Sequence, residues 1–113
     1  MSHVVAPRWH AMRTDETRMV EEFLRRGGFP GADAYRYNVA SIRVRVIDPR
    51  FEGLSDEARD GMVEPLLDQL PEETQVDIIS LYTFAPSEVD PAGPLTREFM
   101  LNAEFEDPSP SLL

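Results

Sequence analysis

The residue types that do chemistry are sparse in this chain, and their gaps are as informative as their positions. There is no cysteine. That excludes disulfides, thiol nucleophiles, thioredoxin-like exchange and every Cys-based zinc or iron–sulfur site. The two histidines, His3 and His10, both stand within the first ten residues. No histidine-rich metal centre is therefore expected inside the domain, and these two would bind metal only if the N-terminal arm folded back onto acids. Glu72 and Glu73 read as acids at a helix start, and Glu104, Glu106 and Asp107 as a charged strand end. No carboxylate pair, nucleophile–base pair or phosphate-cradling loop stands out. The chain is expected to be non-enzymatic, with no metal and no cofactor.

Arginine is the remaining functional side chain of note. The formal charge is −10, and all 11 basic residues are arginine. Residues 1–50 hold nine arginines against six acids, whereas residues 51–113 hold two against fifteen. The acidic half disfavours nucleic acid at long range and suits a basic protein partner. The one arrangement that favours nucleic acid is Arg43 and Arg45 beside Tyr35 and Tyr37. On one sheet face these would form a basic, aromatic platform for single strands. A solvated sheet face or a dimer contact is the alternative reading.

Elements that position these residues follow from the patterning. The chain has 113 residues and 42 % apolar content, which suits one globular domain. A flexible arm over 1–13, a domain over 14–105 and a Pro/Ser tail over 106–113 are predicted. Thr14 or Asp15 can cap a first helix, Asp15 to Arg26, whose face is Met19, Val20, Phe23 and Leu24. Gly27 and Gly28 stop it. A Gly/Pro loop leads to a short strand, Ala34 to Asn38. Ser41 to Ile47 is the clearest strand, with Ile42, Val44 and Val46 alternating with Arg43 and Arg45. Ser55 opens a second helix running to about Leu70, interrupted at Pro65. Pro71 begins a short third helix. Ile78 to Phe84 reads as a central strand, and Ala85 to Thr96 as a loop. Phe99, Leu101, Ala103 and Phe105 alternate with Met100, Asn102 and Glu104, which predicts a last strand paired with 78–84. Met100 on its outer side would need a partner, and a homodimer through that strand is expected. The fold class is α+β, with helices on one face of a small sheet and Arg43 and Arg45 exposed on the other.

One segment has a specific pattern. Residues 47–59, from Ile47-Asp48-Pro49 to Ala58-Arg59, place Phe51, Gly53, Ser55 and Arg59 in a Phe-x-Gly-x-Ser…Arg spacing between a strand and a helix. Ile79-Ser80-Leu81-Tyr82-Thr83-Phe84-Ala85-Pro86-Ser87-Glu88 forms a second block. Together, over about residues 15 to 88, these resemble the BolA family. The resemblance implies a type II KH-like fold of order αββααβ, to which the strand near residue 100 would be an addition. It also implies partnership with a monothiol glutaredoxin through a shared [2Fe–2S] cluster. In that family a histidine follows the motif arginine as an iron ligand. Here that position is Asp60, a hard ligand at a soft site, and the loop near Asn38 to Ala40 has neither His nor Cys. Cluster sharing is accordingly not expected. Gly28-Phe29-Pro30-Gly31 has Gly-x-x-Gly spacing but lies before the first strand, so it is not read as the loop with which KH domains grip RNA.

The motif also has a physical reading without any ligand. Phe51 plugs the core, Gly53 permits positive φ, Ser55 caps the helix, and Arg59 pairs with a neighbour or with loop carbonyls. The expected role is a protein-interaction or regulatory module. Its acidic second helix, with Asp56, Glu57, Asp60, Glu64 and Asp68, would meet a basic partner. No apolar run approaches the ~20 residues of a membrane span, and a cytoplasmic location is expected.

Overall fold

The computed structural model describes residues 6–113. Helix α1 spans Asp15–Arg26, capped by Thr14, whose hydroxyl accepts from the Thr17 amide. Strands β1 (Ala32–Asn38) and β2 (Ser41–Ile47) form an antiparallel hairpin. Helices α2 (Asp56–Leu67) and α3 (Glu72–Asp77) follow, then β3 (Ile78–Phe84) and α4 (Arg97–Glu106). The three strands lie in the order β1-β2-β3, with β3 parallel to β2. The crossover from β2 to β3 through two helices is what a parallel neighbour requires.

Strand alternation divides the side chains between two cores. Ala32, Ala34, Ile42, Val44 and Val46 face α1 and α2, where Val20, Leu24, Phe51 and Val63 complete a fully buried cluster. The opposite face holds a second cluster of Trp9, Tyr35 and Phe105, flanked by Met12, Tyr37 and Tyr82. Both faces are therefore covered, which corrects the expectation of helices on one face only. Strand β3 is an edge strand, not a central one. Its apolar composition on both sides reflects these two coverings.

The segment expected as a last strand is α4. Thr96 caps it by accepting from the Phe99 amide at 3.1 Å, and its residues are mostly good helix formers. Leu101 and Phe105 are one turn apart, so the alternation that suggests a strand also satisfies a helical face. Phe105 is the residue that α4 buries completely. It meets Tyr35 at 4.7 Å and Trp9 at 5.5 Å between ring centroids. No strand pairs with 78–84 on its outer side among the described residues, and the strand pairing behind the expected homodimer is absent.

Other boundaries shift for local reasons. Strand β1 begins at Ala32, and Gly31 before it lies so close to the Ile47 carbonyl that any Cβ there would clash. Helix α2 ends at Leu67 and carries Pro65 inside it. Pro86–Val89 in the expected loop is a 3-10 helix. Of the expected flexible arm, Arg8–Met12 is a 3-10 helix with Trp9 only 3 % exposed, while His3 lies outside the described residues. The tail over 106–113 docks on the hairpin. The Tyr37 hydroxyl donates to the Ser109 carbonyl at 2.6 Å, and the Asn38 amide to the Ser111 hydroxyl at 3.0 Å.

This packing predicts that Phe105→Ala costs about 3–5 kcal/mol, whereas Met100→Ala, on the exposed side of α4, stays within about 0.5 kcal/mol. Urea unfolding of both variants checks the difference. Burial pushes the Tyr35 phenol up to about 12, against the opposing bond from Arg43. With an unfolded value of about 10, its contribution to stability is complete below that pH and is lost as pH rises to about 12. Thermal melts of wild type and Tyr35→Phe between those limits should diverge, with wild type losing more.

Candidate functional site

The β2-to-α2 turn shows why each motif residue is present. Phe51 is fully buried and stacks with Phe29 at 6.1 Å. Gly53 has φ of 74° with open space around its Cβ position. The glycine is needed for that left-handed conformation, not for room. The Ser55 hydroxyl accepts from the Ala58 amide at 3.1 Å and caps α2. Asp48 closes the start of the turn by accepting from the Arg50 amide and side chain. Its carboxyl is held below its usual range chiefly by Arg50.

Arg59 is only 4 % exposed and spends its donors inside the fold. Its Nε donates to the Leu54 carbonyl at 3.0 Å, and one terminal nitrogen to the Thr83 carbonyl at 3.1 Å. Both terminal nitrogens grip the Glu88 carboxylate, at 2.7 and 3.0 Å. Glu88 also accepts from the Ala85 amide at 2.7 Å. A bidentate fork of this kind fixes geometry as well as charge. The pair ties the first turn of α2 to the exit of β3. Ser87 donating to Glu52 at 2.7 Å adds a second tie. Sequence reasoning placed Glu88 in the second block without assigning it a role. The signal for one was its presence as the acid nearest the β3 exit.

Asp60 sits on α2, next in sequence to Arg59, and is half-buried. Burial raises its carboxyl pKa, with Glu64 and Asp56 adding to the shift. Among the described residues, no group of three His, Cys, Asp or Glu side chains is placed to hold a metal. His10 is exposed in the N-terminal 3-10 helix and stacks edge-on against Trp9.

The expected basic, aromatic platform exists, but it faces inward. Tyr35 is fully buried and Arg45 is 5 % exposed. The Arg45 guanidinium donates to Asp33 at 2.7 Å, to Asn102 at 2.8 Å and to Glu106 at 2.8 Å. It also lies 4.5 Å from the Phe105 ring centroid. Arg43 lies 3.6 Å from the Tyr37 ring and donates to the Tyr35 hydroxyl at 3.1 Å. It reaches Glu104 at 3.3 Å. Burial alone would raise the Glu104 carboxyl, yet bonds from Ser109 and Arg43 hold it below its usual range. These four residues glue α4 and the tail to the sheet. The expectation of an open face missed the partners, because Asp33, Asn102, Glu104 and Glu106 are remote in sequence from the arginines they meet.

What remains open is the other side of the molecule. Ten of the eleven arginines sit in ion pairs. On α2, Glu57, Asp60, Glu64 and Asp68 have no cationic partner among the described residues. Asp56 is paired with Arg97 at 3.3 Å, and both side chains are mostly exposed. Glu57, Asp60, Glu64 and the C-cap residue Asp68 thus form an uncompensated acidic row along one face of α2.

No family model, curated protein or solved structure matches this chain.

Replacing Arg59 by Ala strands the Glu88 carboxylate and the Leu54 and Thr83 carbonyls, and is expected to cost about 3–5 kcal/mol. Arg59→Lys should recover only part of this, because an ammonium cannot fork. A double-mutant cycle with Glu88→Gln measures the coupling. Glu88 is held below its usual range by Arg59. Its share of stability is complete above about pH 4.5 and is lost as pH falls. Asp60 has the opposite sign. Its raised pKa means that the charged form opposes folding at neutral pH. Asp60→Asn should raise the Tm at pH 7 by about 2–4 °C, with the gain gone at pH 3.

Proposed function

We propose that this chain is a non-enzymatic, BolA-like protein-interaction module whose acidic second helix receives a basic protein partner. The observation that carries the reading is the unpaired carboxylate row on α2, set against arginines that are almost all engaged within the fold. A cationic surface is the complement of such a row. The element order α1-β1-β2-α2-α3-β3 agrees with the family reading, and α4 is an addition to it. The motif residues support a structural role in this module, since Phe51, Gly53, Ser55 and Arg59 each satisfy a local requirement of the turn.

Two partner classes fit less well. Partnership with a monothiol glutaredoxin through a shared cluster would need a soft ligand at the position that holds Asp60. A nucleic-acid role would need Tyr35, Tyr37, Arg43 and Arg45 as an open platform, and Tyr35 and Arg45 are buried. Anaerobic titration into a cluster-loaded monothiol glutaredoxin is expected to leave its visible circular dichroism unchanged. A changed spectrum that Asp60→Ala removes would return the chain to cluster sharing. At low salt, a fluorescein-labelled hepta-arginine peptide should bind, and Glu64→Arg/Asp68→Arg should weaken it by at least tenfold. Single-stranded RNA should show no shift under the same conditions. RNA binding, or peptide binding indifferent to the two substitutions, would overturn the proposal.

A further inference from the structure

The outer edge of β3 is open over part of its length. The Phe84 carbonyl accepts from the Asp48 amide and so points toward β2. Backbone groups alternate along a strand, so Thr83 and Leu81 turn theirs outward. The Thr83 carbonyl is taken by Arg59. No bond from outside the sheet reaches the Leu81 amide or carbonyl among the described residues. Next to it, Ile79 is the extra residue of a bulge between the Ile42 and Arg43 pairings, and it is 68 % exposed. The far edge of the sheet is treated differently. On β1, Glu21 accepts from the Ala34 amide at 2.9 Å and Arg25 donates to the Ala32 carbonyl at 3.0 Å. Side chains reach the β1 edge at Ala32 and Ala34 and the β3 edge at Thr83, and they leave Leu81 open.

A groove runs beside the open stretch. Leu67 of α2, Ile78, Ile79 and Leu81 form its apolar floor, and Glu64 and Asp68 its rim, around a volume of about 280 Å³. Beyond Leu81 a smaller groove continues between Asp56 and Arg97. That exposed ion pair spans it, and such pairs contribute little, so an incoming cation can replace Arg97 at Asp56.

We propose that the open edge of β3 and the groove beside it receive an extended basic peptide segment of a partner, added as a fourth strand. Its backbone would pair with Leu81. Alternate side chains would face α2, an apolar one over Leu67 and Ile79 and arginines or lysines on either side of it meeting Asp56 and Glu64 or Asp68. Strand addition supplies affinity through main-chain bonds and specificity through alternate side chains. A second copy of this chain is a poorer occupant. Pairing β3 with β3 would bring two acidic rims together in a protein of charge −10. The inference rests on the basic-partner reading and specifies the surface that serves it.

The test uses the full chain and fluorescence anisotropy at 50 mM salt, with three labelled probes. These are Arg-Thr-Val-Thr-Arg-Thr-Arg, whose odd positions share one face, the same peptide N-methylated on alternate residues, and hepta-arginine. The alternating peptide is expected to bind at least tenfold more tightly than its N-methylated form. Ile79→Arg, at an exposed position, should weaken the alternating peptide by tenfold and hepta-arginine by less. Equal binding of the methylated and unmethylated peptides overturns strand addition while hepta-arginine binding preserves the basic-partner reading. Loss of all three overturns both. Sedimentation showing a dimer that Ile79→Arg dissociates would assign the edge to a second copy and also overturn the proposal.

Discussion

The Arg59 guanidinium joins the start of α2 to the exit of β3, which lies well beyond it in the chain. It reaches the Leu54 carbonyl in the turn before α2, the Thr83 carbonyl at the end of β3, and the Glu88 carboxylate just beyond it. A buried ion pair is not by itself a source of net stability, because desolvation offsets much of the attraction. Its effect here is geometric. It sets where α2 begins relative to the edge strand, and with it the position of the acidic row beside the groove. The positive φ at Gly53 and the Ser55 cap deliver the helix to that point.

The sheet's second face shows the same chemistry used for a different end. Arg43 and Arg45 are placed by strand alternation on the side away from α1 and α2. Each is then neutralised by carboxylates brought in by α4 and β1. Trp9, Tyr35 and Phe105 exclude water around them. Burying arginine stems and rings together hides apolar surface while leaving the guanidinium bonded. Internal use of these arginines has a consequence for the exterior. Among the carboxylates that meet no arginine, Glu57, Glu64 and Asp68 line up along α2 and its C-cap, and that row gives the molecule an acidic side.

Some of this was legible in the sequence. The Thr14 cap, the Gly27-Gly28 stop and the apolar face of α1 placed that helix at its observed bounds. The alternation of Ile42, Val44 and Val46 placed β2 equally well. The structural roles of Phe51, Gly53 and Ser55 followed from residue type and spacing. The rest depended on partners far along the chain. An arginine on a strand looks the same whether water or a remote carboxylate receives it, so Arg45 read as exposed. Phe99, Leu101, Ala103 and Phe105 satisfy a period of two, but Leu101 and Phe105 also satisfy a helical turn. Thr96 and the aromatic socket of Trp9 and Tyr35 decide between them. Strand β3 read as central because its run is apolar on both faces, and only the chain's topology leaves its outer edge free.

Arg59 secures the end of β3, while the backbone at Leu81 stays open. Residue-resolved amide hydrogen exchange on the wild-type chain tests it most directly. The Ser80, Tyr82 and Phe84 amides, which point toward β2, should be protected to nearly the global unfolding free energy. The Leu81 amide between them should exchange orders of magnitude faster, independently of protein concentration. Uniform protection from Ser80 through Phe84, rising with concentration, would mean that another copy already covers the edge and that Leu81 is not open.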